Sequence, residues 1–203
     1  MVRQNEIEAK FPEGMVISLR IALREIEPLI WRRVEVPSSI TLSKLHMVFQ
    51  DALGWTNSHL HSFYIGDQEY GYADELGELD IIDERGIKLC NLLKVNTSGF
   101  WYLYDFGDHW LHDVQIEHLL PDRADRAYPI CTAGARKCPP EDCGGVGGYE
   151  RLLEVIRNPK DEEYESMLEW LGGKYDPDEF DLLAVNRKLK KYTKTGSTGK
   201  RSR

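Results

Sequence analysis

Two segments with the composition of strands, joined by a short turn, constrain the fold of this chain more than any other feature. They span residues 100–105 and 110–118, and the turn between them is Phe106-Gly107-Asp108-His109. One face of the second segment carries Trp110, His112, Val114, Ile116 and His118. Because side chains alternate across a strand, the pattern predicts an antiparallel hairpin whose apolar face, including His112, points inward. Asp105 and Asp108 flank the glycine of the turn and are expected to bond local backbone amides.

Strand and helix patterns are segregated along the rest of the chain. Residues 16–23 and 30–36 are rich in β-formers and predict two antiparallel strands. Residues 42–53 carry an apolar helical face between Thr41, a candidate N-cap, and Gly54. Helical stripes return over residues 149–156, from Asp161 to Gly172, and from Asp176 onward with Pro177 in the first turn. Residues 121–140 contain four prolines and a glycine, which favours irregular structure.

This order predicts an α+β fold with a largely antiparallel sheet, an N-terminal ββα unit and a C-terminal group of helices. At 203 residues, one domain is expected over residues 1–190. Its parts are a sheet-rich region (15–120), a cysteine-rich loop (121–145) and a helical region (146–190). Residues 191–203 are predicted to be a disordered basic tail.

Charge is distributed unevenly and restricts the partners of this chain. No acid and eight of the 26 basic residues follow Asp181, so residues 1–181 hold 18 bases against 34 acids, a net charge of −16. Such a surface is not that of a general nucleic-acid-binding protein, and only the tail, residues 187–203, could attract phosphate. An unidentified protein partner is the other expectation.

The cellular environment is inferred from what the sequence lacks. No apolar run approaches the roughly 18 residues needed to span a bilayer, so no membrane contact is expected. The polar N-terminus has no apolar secretory region, which predicts a cytoplasmic protein. In that reducing compartment the four cysteines are thiols or metal ligands more often than structural disulfides.

Cys131, Cys138 and Cys143 fall within 13 residues and form the first candidate metal site. The spacing between Cys138 and Cys143 suits a zinc turn, whereas the gap after Cys131 is wider than usual. Thiolates favour zinc over harder ions, so zinc is the cofactor that this set would hold. The fourth ligand would come from a set of four residues, which are His112, His59, His61 and Asp108. Packed free thiols and a redox or disulfide role are the alternatives.

A second candidate site uses nitrogen and oxygen ligands. His59 and His61 lie two residues apart in a segment with strand alternation, so their imidazoles are expected on one face. Together with Asp105, Asp108 and His112 they could form a mixed site of the type that activates water for hydrolysis.

Several motifs in this order resemble the plasmid pRiA4b ORF-3-like family. They are Ile30-Trp-Arg-Arg-Val-Glu-Val-Pro, Leu42-Ser-Lys-Leu-His, Gly54-Trp-Thr-Asn-Ser-His-Leu-His-Ser-Phe, Tyr104-Asp-Phe-Gly-Asp-His-Trp-Leu-His and Cys138-Pro-Pro-Glu-Asp-Cys-Gly-Gly-Val-Gly-Gly-Tyr, followed by Trp170-Leu-Gly-Gly and Asp176-Pro-Asp-Glu-Phe-Asp. The resemblance covers about residues 15–190. It implies an α+β domain found in bacteria and archaea, with members carried by plasmids and insertion elements. It implies no established activity and no catalytic residues.

Three functional hypotheses follow from the sequence. The first is a non-catalytic accessory or interaction module, stabilised by zinc through the cysteines. The second is a metal-dependent hydrolase or nuclease that uses the mixed site. The third is a DNA-associated accessory factor of transposition or recombination, with the basic tail touching phosphate. A transposon-passenger or resolvase-like label is attached to some members of the family, but this sequence contains no recombinase serine or tyrosine constellation.

Overall fold

The computed structural model describes residues 11–72 and 81–193. Its strands are β1 (Met15–Leu23), β2 (Trp31–Pro37), β3 (His61–Ile65), β4 (Gln68–Gly71), β5 (Ile82–Asp83), β6 (Gly99–Tyr104), β7 (Trp110–Pro121) and β8 (Ile130–Ala135). Its helices are α1 (Leu42–Leu53), α2 (Leu89–Leu92), α3 (Gly145–Arg157), α4 (Tyr164–Trp170) and α5 (Leu182–Leu189), followed by a 3₁₀ turn at Lys190–Tyr192.

The described strands form one eight-stranded sheet in the order β5-β4-β3-β6-β7-β1-β2-β8. Every pairing is antiparallel except the short parallel contact between β4 and β5. The predicted α+β class, the antiparallel sheet and the N-terminal ββα unit are therefore confirmed. The predicted hairpin is β6–β7, in which Tyr104 lies opposite Trp110.

Helix α1 covers the centre of the sheet with the apolar face that the sequence predicted. Its residues Leu42, Leu45 and Phe49 are fully buried, and the Phe49 ring packs against Phe63 of β3 and Tyr102 of β6. Immediately after the helix, the Trp55 ring stacks on Tyr104 and Trp110. The chain that follows α1 is thus fixed against the end of the β6–β7 hairpin.

The prediction of irregular structure over residues 121–140 was wrong, because β8 lies inside this region. Strand β8 pairs with β2 at the edge of the sheet, and a long-range contact satisfies backbone groups on its other side. The Asn186 side chain accepts from the Cys131 amide and donates to its carbonyl, both at 2.8 Å. A side chain 55 residues away therefore satisfies backbone groups that an exposed edge would leave unpaired.

The last helix begins later than its predicted start at Asp176. Helix α5 starts at Leu182, and the Asp181 side chain caps it by accepting from the Ala184 amide at 2.8 Å. The preceding residues are held by tertiary contacts instead, since the Phe180 ring lies 4.5 Å from the guanidinium of buried Arg32. Pro177 alone would favour a helical start, but packing against the sheet holds these residues in a different conformation.

The structured part of the chain also extends beyond the predicted start of the tail at residue 191. The Tyr192 hydroxyl donates to Asp51 of α1 at 2.5 Å, and the Lys191 ammonium lies 2.9 Å from the same carboxylate. The remainder of the predicted tail, residues 194–203, lies outside the described residues. No helix in the described part of the chain is long and apolar enough to cross a membrane.

His112 points into the core as predicted, and this should make the fold sensitive to acid. It is 0% exposed, and burial lowers the pKa of its imidazole from 6.5 to about 4. His112 therefore binds a proton below about pH 6.5 in the unfolded chain but only below about pH 4 in the folded chain. We expect the free energy of unfolding to fall over this window by roughly 3 kcal/mol from this residue. Urea unfolding at several pH values checks this. His112→Gln should reduce the loss of stability between pH 6.5 and 4, with the remainder due to buried His46, and the exposed control His118→Gln should retain the full loss.

Candidate functional site

The turn of the β6–β7 hairpin contacts the start of α3, and this contact creates the candidate site. The Gly144 amide donates to the Asp108 carboxylate at 3.1 Å. Gly145 has a φ of +68°, and a Cβ placed on it would lie 2.7 Å from the Asp108 carbonyl oxygen. Only glycine allows both this backbone conformation and this close approach. The loop that precedes α3 is thereby brought beside the turn that carries Asp105.

Asp105 is held through one carboxylate oxygen, and the other, Oδ2, faces His59. Its Oδ1 accepts from the Gly107 amide at 2.8 Å, as predicted for a turn aspartate, and its own amide donates to the Leu60 carbonyl at 2.9 Å. The residue is only 6% exposed and has a φ of +59°. A left-handed conformation is uncommon at residues other than glycine, and Asp is among those that adopt it most readily.

Glu141 and Asp142 approach the same place from the loop before α3. Oε1 of Glu141 accepts from the Thr56 amide at 2.8 Å and from the Tyr104 hydroxyl at 3.0 Å. Burial raises the pKa of Tyr104, so its hydroxyl stays protonated and can donate. Asp142 has a φ of +58°, and its side chain is 71% exposed. One face of the site is therefore open to solvent.

His59 lies at the centre of these carboxylates. Its Nε2 atom is 3.1 Å from Oδ1 of Asp142, 3.6 Å from Oδ2 of Asp105 and 3.8 Å from Oε2 of Glu141. The nitrogen is shielded from solvent, yet it makes no hydrogen bond with any described residue. Ligand atoms of His59, Asp105 and Asp142 all lie within 4.8 Å of one another, and among the described residues this is the one such group of three.

These spacings suit a shared cation. Two ligands at roughly 2.1 Å from one ion stand about 3.0 to 3.4 Å apart when the angle at the ion is 90° to 109°. The separations of 3.1 Å and 3.6 Å that involve His59 lie at or close to this range. The set of one imidazole and two or three carboxylates is typical of first-row divalent cations.

His61 does not share this site, contrary to the expectation that both histidines face the same way. Strand β3 begins at His61, so His59 lies in the preceding loop, where strand alternation does not apply. The His61 ring stacks on His46 of α1 with 3.5 Å between ring centroids, and its Nε2 lies 3.0 Å from the buried carboxylate of Glu84. His46 in turn bonds the Tyr102 hydroxyl and the Asn57 side chain. The pair belongs to a buried polar network between helix and sheet.

His112 and Asp108 are also separated from the cation group. His112 lies in the core, where its Nδ1 donates to the Tyr102 carbonyl at 3.1 Å and its ring packs edge-on against Trp55. Asp108 was expected to bond a local amide, but it accepts instead from Gly144, 36 residues away. Both residues support the site through structure, and neither belongs to the group of three described ligand atoms.

The three cysteines do not join any such group of described ligands. Cys138 lies beside the Arg32 guanidinium, with 3.9 Å between its Sγ and a guanidinium nitrogen. The positive charge of Arg32 also acts on Cys131. Burial raises the pKa of both thiols to about 11, and it raises the pKa of Cys143 to about 12. A zinc ion at Cys131 and Cys138 would thus sit next to a buried cation, and zinc binding by the cysteines stays a prediction that this geometry does not favour.

Asp142 and Glu141 were absent from both ligand sets predicted from the sequence. The sequence feature that could have indicated them is two adjacent acidic residues between Pro140 and Cys143, directly before the glycines that open α3. Nothing in the local pattern shows that this pair faces a hairpin turn more than 30 residues earlier. The contact between Gly144 and Asp108 supplies that information only in three dimensions.

Comparisons with known proteins place the chain among proteins without an established activity. The model of a family described as plasmid pRiA4b ORF-3-like protein matches residues 15–184. The uncharacterized protein y4hQ of Sinorhizobium fredii is 39% identical over 172 residues, which is 84% of this chain and 86% of the relative. The crystal structure of MM3350, a protein of unknown function from Methanosarcina mazei Go1, is similar with a TM-score of 0.78 and 36% identity. That match covers 85% of this chain and 98% of MM3350.

Proposed function

The chain belongs to the plasmid pRiA4b ORF-3-like family, and we propose that it is a divalent-cation-binding module whose ion is held by His59, Asp105 and Asp142. The observation that carries the proposal is the Nε2 atom of His59, which is shielded from solvent, makes no hydrogen bond within the described part of the chain and faces carboxylate oxygens at 3.1 to 3.8 Å. A cation would neutralise these converging charges and join three segments of the chain, which are the loop after α1, the hairpin turn and the loop before α3.

Isothermal titration of chelator-treated protein tests this proposal. We expect one ion per chain, with affinity in the order Zn²⁺, then Mn²⁺, then Mg²⁺, because an imidazole ligand favours the first two over Mg²⁺. Saturating Mn²⁺ should also raise the melting temperature, since an ion at 100 times its dissociation constant stabilises the folded state by about 2.7 kcal/mol. Protein that binds none of the three ions at millimolar concentration would contradict the proposal.

Tyr104 is expected to act on the ion through Glu141. Its hydroxyl accepts from the Ser58 amide at 3.0 Å and donates to the carboxylate of Glu141 at 3.0 Å. Replacing Tyr104 with Phe leaves both partners without this bond but keeps the ring that stacks on Trp55. We expect Mn²⁺ affinity to fall about tenfold, the lower end for residues that position metal ligands, because Glu141 directly precedes the proposed ligand Asp142. Titration calorimetry measures this, with the exposed residue Tyr72, replaced by Phe, as the control that should leave affinity unchanged.

Metal-dependent hydrolysis is a second candidate function, favoured by the exposure of Asp142. An ion with an open side keeps a position for water, and a bound divalent cation lowers the pKa of that water. The Mn²⁺-loaded protein should then hydrolyse bis(p-nitrophenyl) phosphate, and Asp105→Asn should abolish turnover. If the loaded protein binds its ion and shows no turnover above free Mn²⁺, the hydrolase is excluded for this ester and the binding module remains.

A further inference from the structure

A cleft of about 450 Å³ adjoins the proposed cation site through Glu141, which lies in the wall of the cleft and whose Oε2 is 3.8 Å from Nε2 of His59. Its walls are formed mainly by aromatic, proline and lysine side chains, among them Trp55, Pro139, Pro140, Trp170, Lys174 and Tyr175. This volume falls in the range of pockets that hold small organic ligands. The cleft is thus large enough for one ring system with a charged substituent.

Most polar groups in the walls already have partners within the protein. Trp55 donates its indole N–H to the Pro139 carbonyl at 2.9 Å, and Tyr175 donates its hydroxyl to the Cys138 carbonyl at 2.8 Å. Lys137, also in the wall, pairs with Glu179 at 2.9 Å. The walls therefore present mainly apolar and aromatic surface to whatever enters the cleft.

Two wall residues are available to a ligand. Trp170, at the end of α4, is 50% exposed although it is one of the largest apolar side chains of the molecule. Lys174 is exposed and makes no ion pair with any described residue. An aromatic face beside an unpaired ammonium group suits a planar ring that carries negative charge.

We infer that the cation site and this cleft together bind a phosphate monoester attached to a planar ring, of which a nucleoside monophosphate is the simplest example. The inference rests on the proposed function, because the ion would receive the phosphate while Trp170 stacks on the ring. Carboxylate-held Mn²⁺ and Mg²⁺ commonly complete their coordination with ligand phosphates. Lys174 adds a positive charge that favours the anion, whereas the charge of Lys137 is already paired with Glu179.

Titration of the Mn²⁺-loaded full chain with AMP tests the inference. The protein is kept in excess of Mn²⁺, so that little free ion remains to bind AMP in solution. We expect AMP to bind only when Mn²⁺ is present, and to bind at least tenfold more tightly than either adenosine or inorganic phosphate. Adenosine lacks the phosphate that would bind the ion, and inorganic phosphate lacks the ring that would stack on Trp170.

Trp170→Leu separates the ring contact from the ion. Because stacking of a base on an aromatic side chain contributes about 1 to 3 kcal/mol, AMP affinity should fall about 5- to 150-fold. Mn²⁺ affinity should not change, since Trp170 is not among the proposed ligands. Trp101→Leu is the matched control, because Trp101 is 51% exposed and lies on β6 outside this cleft. Lys174→Gln should lower the affinity for AMP. Lys160→Gln, which replaces another exposed lysine, should leave this affinity unchanged.

The possible outcomes distinguish the two proposals. Mn²⁺ binding with no preference for AMP over inorganic phosphate overturns the nucleotide site and leaves the cation module intact. Equal losses in Trp170→Leu and Trp101→Leu overturn the assignment of the ring to this cleft. A chain that binds no Mn²⁺ overturns both proposals together.

Discussion

Asp105→Asn is expected to weaken Mn²⁺ and Zn²⁺ binding by at least about 100-fold, because even residues that only orient a metal ligand cost 10- to 100-fold when replaced. The substitution removes the charge of a buried, proposed ligand that faces His59 at 3.6 Å. It should leave the turn intact, since the Asn side-chain oxygen can still accept from the Gly107 amide and Asn tolerates a φ near +59°. Titration calorimetry and the far-ultraviolet spectrum measure the two effects.

Asp108→Asn is the matched control for this variant. Asp108 lies in the same turn and carries the same charge, but it is not one of the three proposed ligands, and an Asn oxygen at this position can still accept from the Gly144 amide. Its replacement should change Mn²⁺ affinity by less than about fivefold, the effect of a screened charge near the surface. Equal losses in the two variants would show that general negative charge, rather than coordination by Asp105, attracts the ion.

Gly148→Ala is expected to damage both the fold and the site. A Cβ on Gly148 would lie 1.8 Å from the Cys143 carbonyl oxygen, so either the first turn of α3 or the loop before it must move. That loop carries Glu141 and Asp142. We expect the free energy of unfolding to fall by about 3 kcal/mol, the upper range for forced overpacking, and Mn²⁺ affinity to fall at least tenfold.

Gly147→Ala provides the comparison, because no other described residue comes within 4 Å of a Cβ at that position in the same helix. Alanine is the better helix former by up to about 1 kcal/mol, so this variant should be as stable as the parent or more so. Urea unfolding and Mn²⁺ titration of the two variants give the test. If Gly148→Ala behaves like Gly147→Ala, the tight contact between Cys143 and α3 does not position the ligands.

The elements that the sequence predicted well are those that local patterns determine. The β6–β7 hairpin follows from the aromatic-rich segment before Gly107 and the alternation of residues 110–118 after it, and α1 follows from one apolar stripe between Thr41 and Gly54. Strand β8 was missed because its pairing depends on β2 and on the side chain of Asn186. The start of α5 was misplaced because packing of Phe180 on Arg32 decides the preceding residues.

The candidate site was predictable only in part, for the same reason. His59 and Asp105 were both named from residue type, since imidazole and carboxylate are common ligands of divalent cations. Sequence could not show that His61 turns away to His46 and Glu84, because the start of β3 falls between the two histidines. The spacing of Cys138 and Cys143 suits zinc, but spacing does not reveal the guanidinium of Arg32 beside Cys138.

Anomalous diffraction from crystals of the full chain soaked in Mn²⁺ tests the central claim most directly. We predict one strong peak within about 2.0 to 2.3 Å of Nε2 of His59, Oδ2 of Asp105 and Oδ1 of Asp142, the usual range for such ligands. The same peak should be absent from Asp105→Asn crystals. A strong peak elsewhere, such as at the cysteines, or no peak at His59 in the parent protein would contradict this account.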